Sequence, residues 1–208
     1  MARHGETDFN MHHRLQGQKD VPLSPLGMKQ AFMLARHLCE QEDWTIDAVY
    51  ASPLARARMT ADAIAESMGL PVRTDHRLME IDVGSVAGLT WDEAAAAMPG
   101  LIEKLGADVA GVRYPGGENV RDVLRRSVAF LDDLVSSSEG GTILVVAHAV
   151  ILKCMLCEIL GLDVSNYRRI TLGNASLSVA RVRREEGRLY GRVSLLNDVH
   201  YLKAGEAG

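Results

Sequence analysis

From position 25 onward the apolar side chains Met28, Ala31, Phe32, Ala35, Leu38 and Cys39 recur every three or four residues. Spacing of that kind lays them along one stripe of an α-helix. Ser24 ahead of Pro25 offers a capping hydroxyl and a first-turn proline, so the pattern predicts a helix over 25–41. In "IDAVYASPLARARMTADAIAESMG" the period changes: a short apolar run ends at Ser52, Pro53 restarts the chain, and Gly69 stands where a helix C-terminus favours glycine. This predicts a strand, a tight turn and a helix. "LPVRT" predicts another short strand, and Thr90 with Glu93 has capping-box spacing before an alanine-rich helix that Pro99 and Gly100 stop.

"PGGENVRDVLRRSVAFLDDLVSS" predicts a glycine turn and a long amphipathic helix with Val120, Val123, Leu124, Val128, Leu131 and Leu134 on one face. "TILVVAH" is apolar without a break up to His148, as in a strand buried on both sides, and a helix to Gly161 follows. "SLSVARV" and "RVSLLND" alternate with period two around "RREEGR" and predict a terminal hairpin. No repeat, linker or low-complexity tract divides residues 1–208, which predicts a single domain. Strands alternating with helices predict a three-layer α/β/α sandwich with a mainly parallel central sheet.

Composition narrows the function. At 208 residues and 47% hydrophobic, the chain can bury a full core. A formal charge of -4 without any Lys/Arg block argues against nucleic acid or an anionic membrane as partner and leaves small anionic ligands open. The most apolar stretch, "TILVVAHAVILKCMLCEIL", is broken by His148, Lys153 and Glu158 and suits a strand entering a helix better than a bilayer span. Three cysteines with no leader ahead of them fit the cytoplasm rather than a disulfide framework. Cys154 and Cys157 fall among Leu152, Met155, Leu156 and Ile159 and read as core, while His12 and His13 match no metal-ligand spacing. Arg58, the "RRS" of the long helix and "RREEGR" read as solvated charge.

Ligands of such folds gather at the carboxyl ends of the strands. His148 directly follows one predicted strand, Arg56 lies one turn beyond another, and Arg3 with His4 stands just before a loop. Glu80 in "RLMEIDVG" comes from a connection that reaches the same edge, with Asp82 as a neighbouring carboxylate. Two arginines, two imidazoles and a carboxylate suit a phosphate. Guanidinium forks bind its oxygens, an imidazole attacks phosphorus, and a carboxylic acid protonates the leaving oxygen.

With "RHGET", "RLQGQKDVPLSPLGMKQA", "YASPLARARMTADAI", "MEIDVGSVAGLT", "YPGGEN", "VVAH" and "LLNDVHYL" in this order, the chain resembles the histidine phosphatase superfamily, which includes cofactor-dependent phosphoglycerate mutases and many small phosphatases. The resemblance implies a phosphoglycerate mutase-like fold and a metal-independent phosphomonoesterase without cofactor, acting on a small phosphorylated substrate. It implies His4 as nucleophile, Arg3, Arg56 and His148 as holders of the phosphoryl oxygens, and Glu80 as general acid. Asn10 would belong to the rim of the phosphate pocket, and Gln16 with Gly17 to the substrate-side loop. Mutase-type transfer and phosphate binding without turnover are the alternatives. Phosphosugars, phosphoglycerates and nucleotide-loop precursors of cobamides are all candidate substrates, and the oligomeric state is open, with a homodimer among the options.

Three departures accompany the resemblance. The family has an apolar strand before RHG, whereas only Met1 and Ala2 stand here, so a truncated first strand and a gap in the sheet centre are expected. Ala149 and Val150 follow His148 where the family often has glycines, which predicts a restricted approach of phosphate to the backbone. The stretch from Glu80 to "YPGGEN" is short, which favours a phosphatase over a mutase.

Overall fold

The computed structural model describes residues 1–41, 44–137 and 140–203. The chain runs from β1 (Ala2–Arg3) through α1 (Asp8–Met11) to α2 (Pro25–Cys39), where Ser24 accepts from the Gly27 N–H as the expected cap. Then come β2 (Ala48–Ala51), α3 (Ala55–Met68), closed by Gly69, and β3 (Val72–Thr74). The Thr90–Glu93 capping box opens α4 (Trp91–Ala97), but Pro99 and Gly100 only turn the chain into a further helix, α5 (Leu101–Ala107). The amphipathic α6 (Val120–Ser137), β4 (Ile143–Ala147) and α7 (Ala149–Ile159) follow. A 3-10 segment, Val164–Arg169, leads into β5 (Leu177–Glu185), β6 (Arg188–Asp198) and α8 (His200–Lys203).

The hairpin is tighter than expected. Glu186 and Gly187 both have positive φ, 48° and 79°, which matches the twist of paired strands and needs only two turn residues. Arg183, Arg184 and Glu185 are therefore strand residues paired with Tyr190, Leu189 and Arg188.

The sheet order is β3-β2-β4-β1-β5-β6; the first four strands are mutually parallel, and β5 and β6 run against their neighbours. Alternation along β4 serves both faces. Val145 and Ala147 join Ile151, Leu152, Met155 and Phe130 under α6 and α7, whereas Leu144 and Val146 join Leu34, Ala57, Ala61 and Ile64 under α2 and α3. The result is the α/β/α sandwich. Cys154 and Cys157 are fully buried in α7, in keeping with a packing role. Among the described residues no helix is long and apolar enough to cross a membrane.

β1 has two residues, yet it sits at the sheet centre. Ala2 pairs with Val146 on one side and Leu177 on the other, and Met1 exchanges backbone hydrogen bonds with Ser178. The sheet is thus closed at its carboxyl edge, directly beneath His4. At the amino edge β4 and β5 border a cavity of about 790 Å³ lined by Met1, Ile143, Leu144 and Val179. Joining about five or six apolar residues ahead of Met1, the length of a normal strand, should fill this cavity, complete the ladders and raise the unfolding midpoint, by about 2–4 °C per kcal/mol gained. An unchanged midpoint in a thermal melt would show that the cavity carries no stability deficit.

Candidate active site

His4 follows β1 directly, and its backbone is held from both sides: its N–H donates to Ala147 O at 3.0 Å, and its carbonyl accepts from Ala175 N–H and the Asn174 side-chain amide. The next residue must be glycine. A Cβ on Gly5 would lie 2.4 Å from Gly27 O, because the loop after β1 crosses the start of α2 backbone to backbone. The His4 ring is 2% exposed, and its Nδ1 meets Gly5 O at 2.6 Å. A carbonyl only accepts, so Nδ1 carries the proton and Nε2 keeps its lone pair. That is the tautomer a nucleophile needs.

Arg56, in the first turn of α3, is fully buried, and three of its five N–H donors are engaged. Nη1 donates to Lys19 O and Nη2 to Gly17 O, both at 2.8 Å, and Nε donates to His148 Nδ1 at 3.2 Å. His148 then donates from Nε2 to Ser52 Oγ at 2.8 Å. Its ring centroid lies 5.1 Å from that of His4, but both nitrogens are engaged and the ring does not line the cavity described below. His148 thus sits behind Arg56 at the end of its strand, where the resemblance implies a holder of the phosphoryl oxygens. Arg3 donates from Nη1 to Leu172 O at 2.6 Å, while its buried Nε has no partner among the described residues.

Glu80 approaches from the far side. Its carboxylate accepts from Ile81 N–H at 2.9 Å and from Val150 N–H at 3.2 Å, at the positive N-terminal end of α7. Three carbonyls of the Glu80 segment, those of Arg77, Met79 and Glu80, accept from Arg126, which is also held by Glu118 through paired hydrogen bonds. Arg126 belongs to the "RRS" expected to be solvated; the structure instead makes it the clamp that fixes the segment bearing Glu80. Asp82 accepts from Gly84 N–H and does not line the cavity. Arg58 does pair at the surface, with Asp62.

Arg3, His4, Arg56 and Glu80 converge on one cavity of about 610 Å³, at the carboxyl edge of the sheet. Asn10, Gln16 and Gly17 line it too. Asn10 also works in a local cap, accepting from Thr7 and from Asn174. Gln16 Oε1 is buried without a partner among the described residues. His12 and His13 are exposed outside the cavity. Asn174, which ties His4, Gly5 and Asn10 together, escaped sequence reasoning because a single asparagine in a loop carries no pattern.

Burial dominates the electrostatics. It holds the His4 pKa well below the usual imidazole value, with Arg3 and Arg56 adding repulsion. His148 is lowered in the same way, by burial first and then by Arg56. Burial also brings Arg56 down to about 10, against the opposing pull of Glu80.

The fold and this geometry define a three-layer α/β protein with a cationic, imidazole-bearing pocket at the edge of a parallel sheet. Residues 1–194 match the family model of the histidine phosphatase superfamily, branch 1, and the chain belongs to that superfamily. It is 35% identical to phosphoserine phosphatase 1 of Hydrogenobacter thermophilus, over 86% of this chain and 83% of that protein. It is equally 35% identical to a probable phosphoglycerate mutase of Yersinia pestis, over 86% and 81%. Among solved structures, a mycobacterial glucosyl-3-phosphoglycerate phosphatase bound to VO3 superposes with a TM-score of 0.84 at 33% identity, covering 96% of this chain and 98% of that one.

The lowered imidazoles set a pH dependence. In the unfolded chain both rings protonate near pH 6.5, while in the fold they stay neutral, so the unfolded state binds more protons as the pH falls and stability falls with it. The unfolding midpoint should drop between about pH 7 and about pH 5.5, and His4→Ala and His148→Ala variants should show a shallower slope. A wild-type slope retained in both variants would place the titration elsewhere.

Proposed function

We propose that this protein is a phosphomonoesterase that hydrolyses a small phosphorylated metabolite through a phosphohistidine at His4. The observation that carries this reading is the locked tautomer of His4, whose free Nε2 accompanies Arg3, Arg56 and Glu80 at one cavity. In the first step Nε2 attacks phosphorus, the P–O bond to the alcohol breaks, and Glu80 in its acid form hands a proton to the departing oxygen. In the second, water attacks phosphorus, Glu80 takes the proton back, and the N–P bond breaks to release phosphate. Arg3 and Arg56 offset the charge on the transferring group. His148 positions Arg56 and packs against the nucleophile.

Relatives named as phosphatases support the hydrolytic outcome. The likeness to a probable phosphoglycerate mutase keeps transfer to a second alcohol as the other reading, separable by counting phosphate released per ester consumed. The three free cysteines support a place in the cytoplasm.

The first test is hydrolysis of p-nitrophenyl phosphate in excess chelator. Chelator-resistant activity is expected, and it should vanish in His4→Ala. Glu80→Gln should lose about 10²–10⁴-fold on an alkyl phosphate, the usual worth of a positioned acid, and much less on the p-nitrophenyl ester, whose leaving group needs no proton. Full activity in His4→Ala would remove the phosphohistidine, and equal losses on both esters would remove Glu80 as the acid.

A further inference from the structure

The cavity holds more positive charge than a phosphoryl group requires. Its charged walls are Arg3, Arg14, Arg56 and Arg168 against Glu80 alone. Arg3 and Arg56 flank His4, and Arg14 is neutralised by Glu93 at 2.8 Å while also donating to Gly88 O. Arg168 remains. It is exposed on the 3-10 segment after α7, its Nε makes a long 3.3 Å contact with the Tyr167 hydroxyl, and its two terminal nitrogens have no partner among the described residues. Its guanidinium carbon lies 5.9 Å from the Tyr167 ring centroid, which props the fork against a buried ring.

Two tyrosines extend this wall. Tyr114 and Tyr167 are 6% and 8% exposed and line the same cavity, and burial pushes Tyr114 up to about 12, so its hydroxyl remains a proton donor at neutral pH. The Tyr114 hydroxyl has no hydrogen-bond partner among the described residues. Across from it, α4 and α5 present Trp91 and Ile102, 44% and 39% exposed, as apolar cover over the mouth. Large apolar side chains left in a pocket mark a surface for carbon-rich ligand.

We propose that Arg168, with the hydroxyls of Tyr114 and Tyr167, forms a second anion subsite, and that the substrate is a phosphomonoester whose alcohol has an apolar body and a further carboxylate or phosphate. The proposal rests on the phosphomonoesterase reading for the placement of the first phosphoryl group at His4. A planar fork whose two terminal nitrogens are free suits a carboxylate or a phosphate, and the hydroxyls supply additional donors. Trp91 and Ile102 cover the body between the two anions.

Binding separates this subsite from the chemistry. Phenyl phosphate, 4-carboxyphenyl phosphate and 1,4-phenylene bisphosphate are titrated calorimetrically into the full chain carrying His4→Ala, with Arg168 intact, as Arg168→Ala and as Arg168→Lys. The ligands with a second anion are expected to bind at least about tenfold tighter than phenyl phosphate. That advantage should collapse in Arg168→Ala and survive in part in Arg168→Lys; the carboxylated and bisphosphorylated ligands reveal which second anion is preferred. Absence of binding by both anion-bearing ligands, equal affinity for all three, or an advantage undiminished in Arg168→Ala would overturn the subsite. Turnover of the same esters by the wild-type chain is read separately, so a failed phosphatase reading leaves the affinity ratio standing and a failed subsite leaves hydrolysis standing.

Discussion

A cation buried with no carboxylate among its hydrogen-bond partners governs this structure. Arg56 is completely enclosed, and its donors go to two carbonyls and an imidazole nitrogen. Taking a guanidinium out of water without an anionic partner is costly. The dipoles of Gly17 O and Lys19 O offset part of that cost and fix the loop they belong to. Glu80 faces the same cavity and exerts the largest favourable pull on Arg56. In the proposed reaction the arriving phosphoryl group supplies the missing negative charge, so the resting enzyme stores an electrostatic demand that its substrate meets.

Other features follow from holding that cation in place. Arg56 sits in the first turn of α3, and α3 can start there only because β2 ends at Ala51 and Leu54 begins the helix as its cap. Ser52 bridges the two elements, its hydroxyl accepting from His148 Nε2 and from Leu54 N–H. His148 in turn ends β4, whose partners are β2 and β1. Three strand ends are therefore coupled through one imidazole. Its neutral state is a requirement, because Nδ1 must accept from Arg56 and cannot do so when protonated. Burial and the neighbouring arginines secure that state.

What the sequence revealed was local or motif-borne. Ser24, Thr90 and Gly69 act within four residues of the helix ends they define, so the pattern exposes them. His4, Arg56 and Glu80 were found because their neighbours form recognisable segments in order. Arg126 was not, since the contacts that make it a clamp are to carbonyls 46 to 49 residues away and backbone oxygen has no residue identity to read. The orientation of His148 was likewise hidden: its place at a strand end is legible, but which atoms its nitrogens meet depends on how Arg56 and Ser52 pack around it. The helix α5 was missed because Pro99 and Gly100 are strong stop signals that here serve a sharp corner between two helices.

Val150 shows how a departure from family pattern is absorbed. Glycines after the histidine would leave the start of α7 open to a phosphate, and Ala149 with Val150 narrows that approach. Yet the Val150 N–H, one of the first donors of α7, is already given to the Glu80 carboxylate. A side chain costs nothing at a helix terminus whose backbone serves another protein group. The same contact seats the Glu80 carboxylate at the helix N-terminus, on the wall of the cavity that His4 shares.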